Sequence, residues 1–342
     1  MTREHFIKKE DTNYIKGIAL ILMFFHHFFT YPEWRKDVIS YSLDPLFAFF
    51  SGSFKICVPV FAFLTGYFYY FSKRKNFAYS FKKGTDLWIN YAFTFLIMLI
   101  PIALFTDYSF EPLYFLAELF TYRQPIMMFC WYVLFYLCSM LVLPLYARIS
   151  KKSPVLAFGI AVILPSFFSL IASRLSFPGM DVVYHFVNIM PWFICTASGY
   201  LFAQLDLFRS ISDAVRFKNR FLQIIVFLLF MIVPFLTRCI SVSIDFISAP
   251  LFIFGFVSLI HRIPWKKLLF PLSLIGKYSL SMWFIHCIFF NQLSVYTQKI
   301  LYFPKSPTLV LIWGLTISLI LSVLIMLPIR FLTNFKNKLL KL

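Results

Sequence analysis

Long apolar runs recur from one end of this chain to the other, and they restrict its fold more than any other feature. A helix needs about 20 predominantly apolar residues to cross a bilayer core. Runs of that kind lie at 14–31, 54–72, 87–106, 126–147, 154–173, 186–205, 220–239, 244–262, 271–291 and 308–330. The polar segments between them are too short for a separate soluble domain. The expectation is an all-α, polytopic transmembrane helical bundle of about ten spans, with residues 1–342 as a single domain. Charged residues make up 13% of the chain, whereas a soluble domain carries about 25%, so a soluble multidomain protein is a poor alternative. The first run follows the charged segment "MTREHFIKKEDTN" with no small-residue cleavage site after it. It therefore reads as a permanent first helix, not a cleaved signal.

Basic residues mark the cytoplasmic side of a membrane protein. With the N-terminus inside, the inner segments hold 23 Lys and Arg and six acids, and the outer segments hold eight of each. One asymmetry thus accounts for a net charge of +18, with Lys277 in the ninth run. Both termini are expected in the cytoplasm, in a multi-pass protein of the cell (cytoplasmic) membrane whose constant partner is lipid. Nucleic acid is not needed to explain the charge. The inner cations also suit a polyanionic small molecule. The six cysteines have no CxxC spacing and mostly lie in apolar runs, so they read as small buried hydrophobes, and no metal is expected.

The first run, "YIKGIALILMFFHHFFT", contains Lys16, His26 and His27. An ionisable group inside a span usually faces a cavity or the bundle interior. At 100° per residue, His27 lies about 20° around the helix from Lys16, and His26 about 80°. Lys16 and His27 share a stripe, separated by about 16 Å of rise. The ninth run, "GKYSLSMWFIHCIFF", has a similar layout, with Lys277 before His286. His286 should reach a depth similar to that of His27 and line the same cavity. The competing reading is that a buried histidine bonds a neighbouring helix and simply glues the bundle. That reading suits His26 and stays open for His286. His5 belongs to the polar N-terminus, and His185 and His261 read as interfacial.

These same stretches resemble the integral-membrane acyltransferase-3 family. Its members open on an Arg-Gly-Ile/Leu run with a His eleven residues after the Arg, which corresponds here to Lys16, Gly17 and His27. "VPVFAFLTGYFYY" resembles the family's second-helix segment, with Thr65-Gly66 in place of Ser-Gly. "CWYVLFYLCSMLVLPL" resembles its Trp-Phe/Tyr-Leu segment through Trp131 and Tyr132. "PWFICTASGYLFA" resembles its Phe-x-x-Gly-Tyr helix through Gly199. "IGKYSLSMWFIHCIFF" resembles its closing segment through Gly276, Tyr278, Ser279 and His286. Two departures stand out. Lys16 replaces an arginine, keeping charge but losing the planar fork. The basic motif after the second helix is reduced to "FKKGTDLWINYAF", with Lys82 and Lys83 as cations and Asp86 where another is expected.

The resemblance implies O-acylation, most often O-acetylation, of an extracytoplasmic or lipid-linked sugar or polysaccharide, with cytoplasmic acetyl-CoA or another acyl-CoA as donor. It implies that Lys16, Lys82 and Lys83 meet the coenzyme's phosphates, with His27 as general base or acyl relay and Lys16 alternatively a catalytic residue that stabilises developing negative charge. His286 and Tyr278 would position substrate, and Trp131, Tyr132, Tyr184 and Trp192 offer aromatic faces to a sugar. An aromatic belt at the membrane interface competes for those four. The rival function is a transporter or flippase for a lipid-linked sugar or small anion. No internal repeat, and almost no Asp or Glu inside a run, speaks for it. A third reading, a structural or sensory membrane protein, leaves Lys16 and His27 without a purpose.

Overall fold

The computed structural model describes residues 5–30, 50–122, 126–174, 189–240 and 244–339. Thirteen α-helices and no strand occur among these residues. This follows from the solvent: in lipid each backbone N–H and C=O must be satisfied within its own segment, which helices do. Six helical stretches are long and apolar enough to cross a membrane: Phe50–Phe71, Phe77–Phe105, Trp131–Lys152, Arg220–Cys239, Lys266–Phe289 and Pro307–Pro328. Pro154–Phe167 and Asp245–Ile260 are apolar but shorter. The first helix, α1 (Asp11–Phe29), has 19 residues. It falls outside the six because Asp11, Lys16, His26 and His27 dilute its hydropathy. The expected run at 186–205 is a one-turn 3₁₀ segment, Met190–Trp192, followed by the short helix Phe193–Gln204. Its first residues lie outside the described ones.

The helices that matter for the site are α1, α2 (Cys57–Phe71), α3 (Phe77–Phe105), α4 (Pro112–Leu119), α5 (Trp131–Lys152) and α11 (Phe270–Ile285). The intervening α6 to α10 are Pro154–Arg174, Phe193–Gln204, Leu207–Ala214, Arg220–Ile240 and Asp245–Ile260; α12 is Ser294–Leu301 and α13 is Pro307–Leu339. The main pairings are α2 with α7, α9 with α10, α1 with α11, and α3 with α5. The outer faces are apolar. Leu222, Leu229 and Leu236 of α9 are all exposed, as are Ile320, Leu324 and Leu327 of α13. In water that surface would drive association; against lipid it is the expected boundary.

Glycine sets the crossing of α1 and α11. A Cβ on Gly17 would strike the Leu272 carbonyl, and one on Gly276 would strike the Asn13 carbonyl. The backbones of α1 and α11 therefore touch, as small residues allow inside membranes. Each histidine follows its crossing glycine by ten residues, His27 after Gly17 and His286 after Gly276. Ten residues rise about 15 Å in either helix, so two helices that run the same way from one crossing bring the two rings level.

Candidate active site

His27 and His286 meet directly, with 2.7 Å between His27 Nδ1 and His286 Nε2. Their rings are parallel to within 8°, with centroids 4.9 Å apart. The proton positions follow from the outer partner. His286 Nδ1 bonds the carbonyl oxygen of Trp283, and a carbonyl only accepts, so Nδ1 of His286 carries the hydrogen. Neutral His286 then has its lone pair on Nε2, and His27 Nδ1–H donates to it. This chain of bonds leaves the lone pair of His27 on Nε2. The arrangement exists because α11 tightens into a 3₁₀ turn, His286–Phe289, just where His286 begins. That tightening places the ring beside the carbonyl three residues back.

Phe129 covers this pair. Its ring stacks on His27 with centroids 3.9 Å apart and a 19° tilt, and Trp283 Nε1 donates to its carbonyl at 3.3 Å. The strand of chain leading to Phe129 is held by Glu118 of α4, whose Oε1 accepts the backbone N–H groups of Ile126 at 2.6 Å and Met127 at 3.0 Å. Tyr91 of α3 donates to the Glu118 carbonyl at 2.8 Å. Burial pushes the Glu118 carboxyl up to about 7, against the opposing pull of its two backbone donors.

A cavity of about 700 Å³ runs past His27. One end has Lys9, Lys16 and Lys83 in its wall, with His5. The other has Lys55, His26 and His27. The chain path separates these ends. Lys16 lies near the start of α1 and the histidines near its finish. The α2 helix runs back, so Lys55, just before it, lies beside the histidines, and its other end, Phe71, packs against His5 with ring centroids 4.0 Å apart. Apolar and aromatic side chains, among them Phe61, Leu64, Tyr136 and Met140, line the middle. Such a passage suits a long, thin, partly apolar ligand with an anionic head at the lysine end.

The expected residues distribute unevenly. Lys16, His27, Lys83, Trp131 and Tyr132 line the cavity. His286 stands behind His27, fully buried. Lys82 is exposed and, with Tyr278, is not among the lining residues. Lys277 Nζ instead sits over the Tyr278 ring, 5.4 Å from its centroid. His26 lines the cavity but is tied down, its Nδ1 3.1 Å from the Ser51 carbonyl and 2.9 Å from Thr30 Oγ1. That bond joins the end of α1 to the approach to α2. His261 bonds Asp11 at 3.0 Å. Trp192 packs near Trp131, with centroids 6.0 Å apart. Tyr184 and His185 lie outside the described residues.

Lys9, Lys55, Phe129 and Trp283 were not singled out by sequence. Lys9 and Lys55 read as loop cations, and Phe129 and Trp283 are two apolar residues among many. The remaining signal for Lys55 was its place at the edge of an apolar run. Among the described residues no group of three or more His, Cys, Asp or Glu is placed to hold a metal ion.

A family model described as an acyltransferase domain matches residues 10–327. No curated protein and no solved structure matches the chain. The match begins one residue before α1 and ends near the membrane-crossing limit of α13, so it takes in both histidines and all of the cavity lining except His5, Ile7 and Lys9. With that match over nearly the whole chain, and six helices able to span a bilayer, the chain belongs to the acyltransferase-3 family and is a membrane acyltransferase.

Proposed function

We propose that this protein moves an acyl group, in the first instance acetyl, from cytoplasmic acyl-CoA to a hydroxyl of an extracytoplasmic or lipid-linked sugar. The supporting observation is the single cavity that joins Lys16 to His27, with His27 Nδ1 bonded to His286. In this reading the chain crosses the cell membrane about ten times, with both termini in the cytoplasm. The lysine-lined end is then cytoplasmic. Lys9, Lys16 and Lys83 neutralise the coenzyme's phosphates there. The pantetheine arm lies along the apolar middle and brings the thioester to His27.

The chemistry falls to His27 Nε2. The sugar oxygen attacks the thioester carbonyl carbon while its proton passes to this nitrogen. The C–S bond breaks, and the imidazolium returns the proton to the departing thiolate. His286 holds the tautomer through the bond to His27 Nδ1 and shares the transient positive charge. A two-step relay, with the acyl group first on His27, would use the same nitrogen. Phe129 keeps water off the ring face. Trp131 and Tyr132 offer the acceptor's ring an aromatic wall.

The test is thiol release from acetyl-CoA by purified, detergent-solubilised protein, together with coenzyme binding on the same sample. Coenzyme binding that persists, with release that is lost when His27 is replaced, upholds the reading. Neither binding nor release would sink it.

A further inference from the structure

We infer that the far end of the cavity holds a binding position for a negatively charged group of the acceptor, with Lys55 as its cation. This rests on the acyltransferase reading for why an acceptor comes there. Lys55 lies on the 3₁₀ turn Phe54–Ile56 that leads into α2. It is half-buried in the cavity wall that also carries His26 and His27. Among the described residues it makes no hydrogen bond or ion pair. The nearby carboxylate, Asp245, is already engaged: Arg238 Nε binds its Oδ1 at 2.8 Å, with the two side chains 2% and 4% exposed. Two cations thus face one carboxylate at this end. A cation taken out of water needs a counter-charge, and inside a membrane protein such a group marks a ligand path.

The turn is braced for the purpose. Arg238 Nη1 donates to the Ser53 carbonyl at 3.4 Å, so the buried ion pair holds the backbone two residues before Lys55. Capacity is also left over, because Arg238 Nη2 and Asp245 Oδ2 are buried without a hydrogen-bond partner among the described residues. The donor's phosphates do not account for Lys55. They have Lys9, Lys16 and Lys83 at the opposite end, about 16 Å along α1 from His27. The charge beside the histidines therefore serves the other substrate. A lysine ammonium accepts a carboxylate or a phosphate oxyanion without demanding a fork geometry. The group is thus either the carboxylate of an acidic sugar or the phosphate of a lipid-carried one.

Titrating the purified full-length protein and following tryptophan fluorescence tests this, since Trp131 and Trp283 line the same cavity. Methyl glucuronide is compared with methyl glucoside, and polyprenyl phosphate with polyprenol. Wild type should bind the charged member of at least one pair about tenfold or more tightly than the neutral one. Preference within the first pair alone names a sugar acid; within the second alone, a carrier phosphate. Lys55→Met, which keeps the stem, should erase the preference, and Lys55→Arg should keep it. Lys55→Gln replaces the methionine variant if that one does not fold. No preference in wild type, or a preference that survives loss of the charge, overturns the inference. Thiol release from acetyl-CoA is read separately. If neither release nor coenzyme binding is seen while the preference depends on Lys55, the anion position stands and the acyltransferase reading falls.

Discussion

His27 donates its Nδ1–H to His286 Nε2 over 2.7 Å, and His286 is in turn fixed by the carbonyl of Trp283. One imidazole sets the proton position of the other, so the two residues should fail in different ways.

His27→Ala removes the proposed base itself. Thiol release in the presence of acceptor should fall by about 10²–10⁴-fold. His26→Ala should keep turnover per folded molecule and lower the melting temperature, because it unties the α1 end from Ser51 and Thr30. Equal losses of activity in both variants would contradict the assignment.

His286→Leu keeps bulk and removes the acceptor for His27 Nδ1. The kcat should drop by about a hundredfold, inside the range of general-base contributions, with the KM for acetyl-CoA unchanged. His286→Gln, whose carbonyl oxygen accepts a hydrogen bond, should recover part of the rate. A variant that alters KM alone would make His286 a wall of the cavity.

Lys83→Met should raise the KM for acetyl-CoA, because Lys83 lines the cationic end of the cavity. Lys82→Met should change it much less, because Lys82 is not among the residues lining the cavity. Steady-state kinetics on the two variants side by side decides the matter.

Gly276→Ala places a methyl group into the Asn13 carbonyl. Overpacking of this kind costs about 1–3 kcal/mol. The melting temperature should fall, and kcat should fall further than the unfolded fraction explains, since the crossing also sets the approach of the histidines.

Glu118 gives stability a pH dependence. Its carboxyl stands at about 7 in the folded chain against an ordinary 4.5. The folded state then binds more protons than the unfolded state between those values, so this group's contribution is full below about 4.5 and is lost as pH rises through about 7. The melting temperature should be higher at pH 5 than at pH 8, and Glu118→Gln should flatten that difference. A wild-type curve that rises with pH across this window would refute the direction.

Sequence exposed the helical character because lipid leaves a backbone so few choices, and it exposed Lys16 and His27 because a charge and an imidazole are costly in such a run. It placed His27 and Lys16 on one stripe, and both line one cavity. The contact between His27 and His286 was only half legible. The equal offset of ten residues from Gly17 and Gly276 is written in the chain, but which helix crosses which is decided by packing. Lys55 was hidden because a cation at the end of a run reads as a topology signal. Phe129 was hidden because nothing in the sequence separates one phenylalanine from the other 46. Lys82 and Lys83 are neighbours on a helix, so their side chains point about 100° apart, and only one lies in the cavity wall.

The glycine crossing of α1 and α11 also makes the histidine pair a sensitive gauge of angle. Each helix extends as an arm of about 15 Å from the crossing to its imidazole. A relative tilt of about 4° would shift one ring by about 1 Å, enough to break a bond of this length. Any occupant that wedges or relaxes the two helices therefore switches the tautomer control of His27 on or off, with no residue of its own at the reacting atoms.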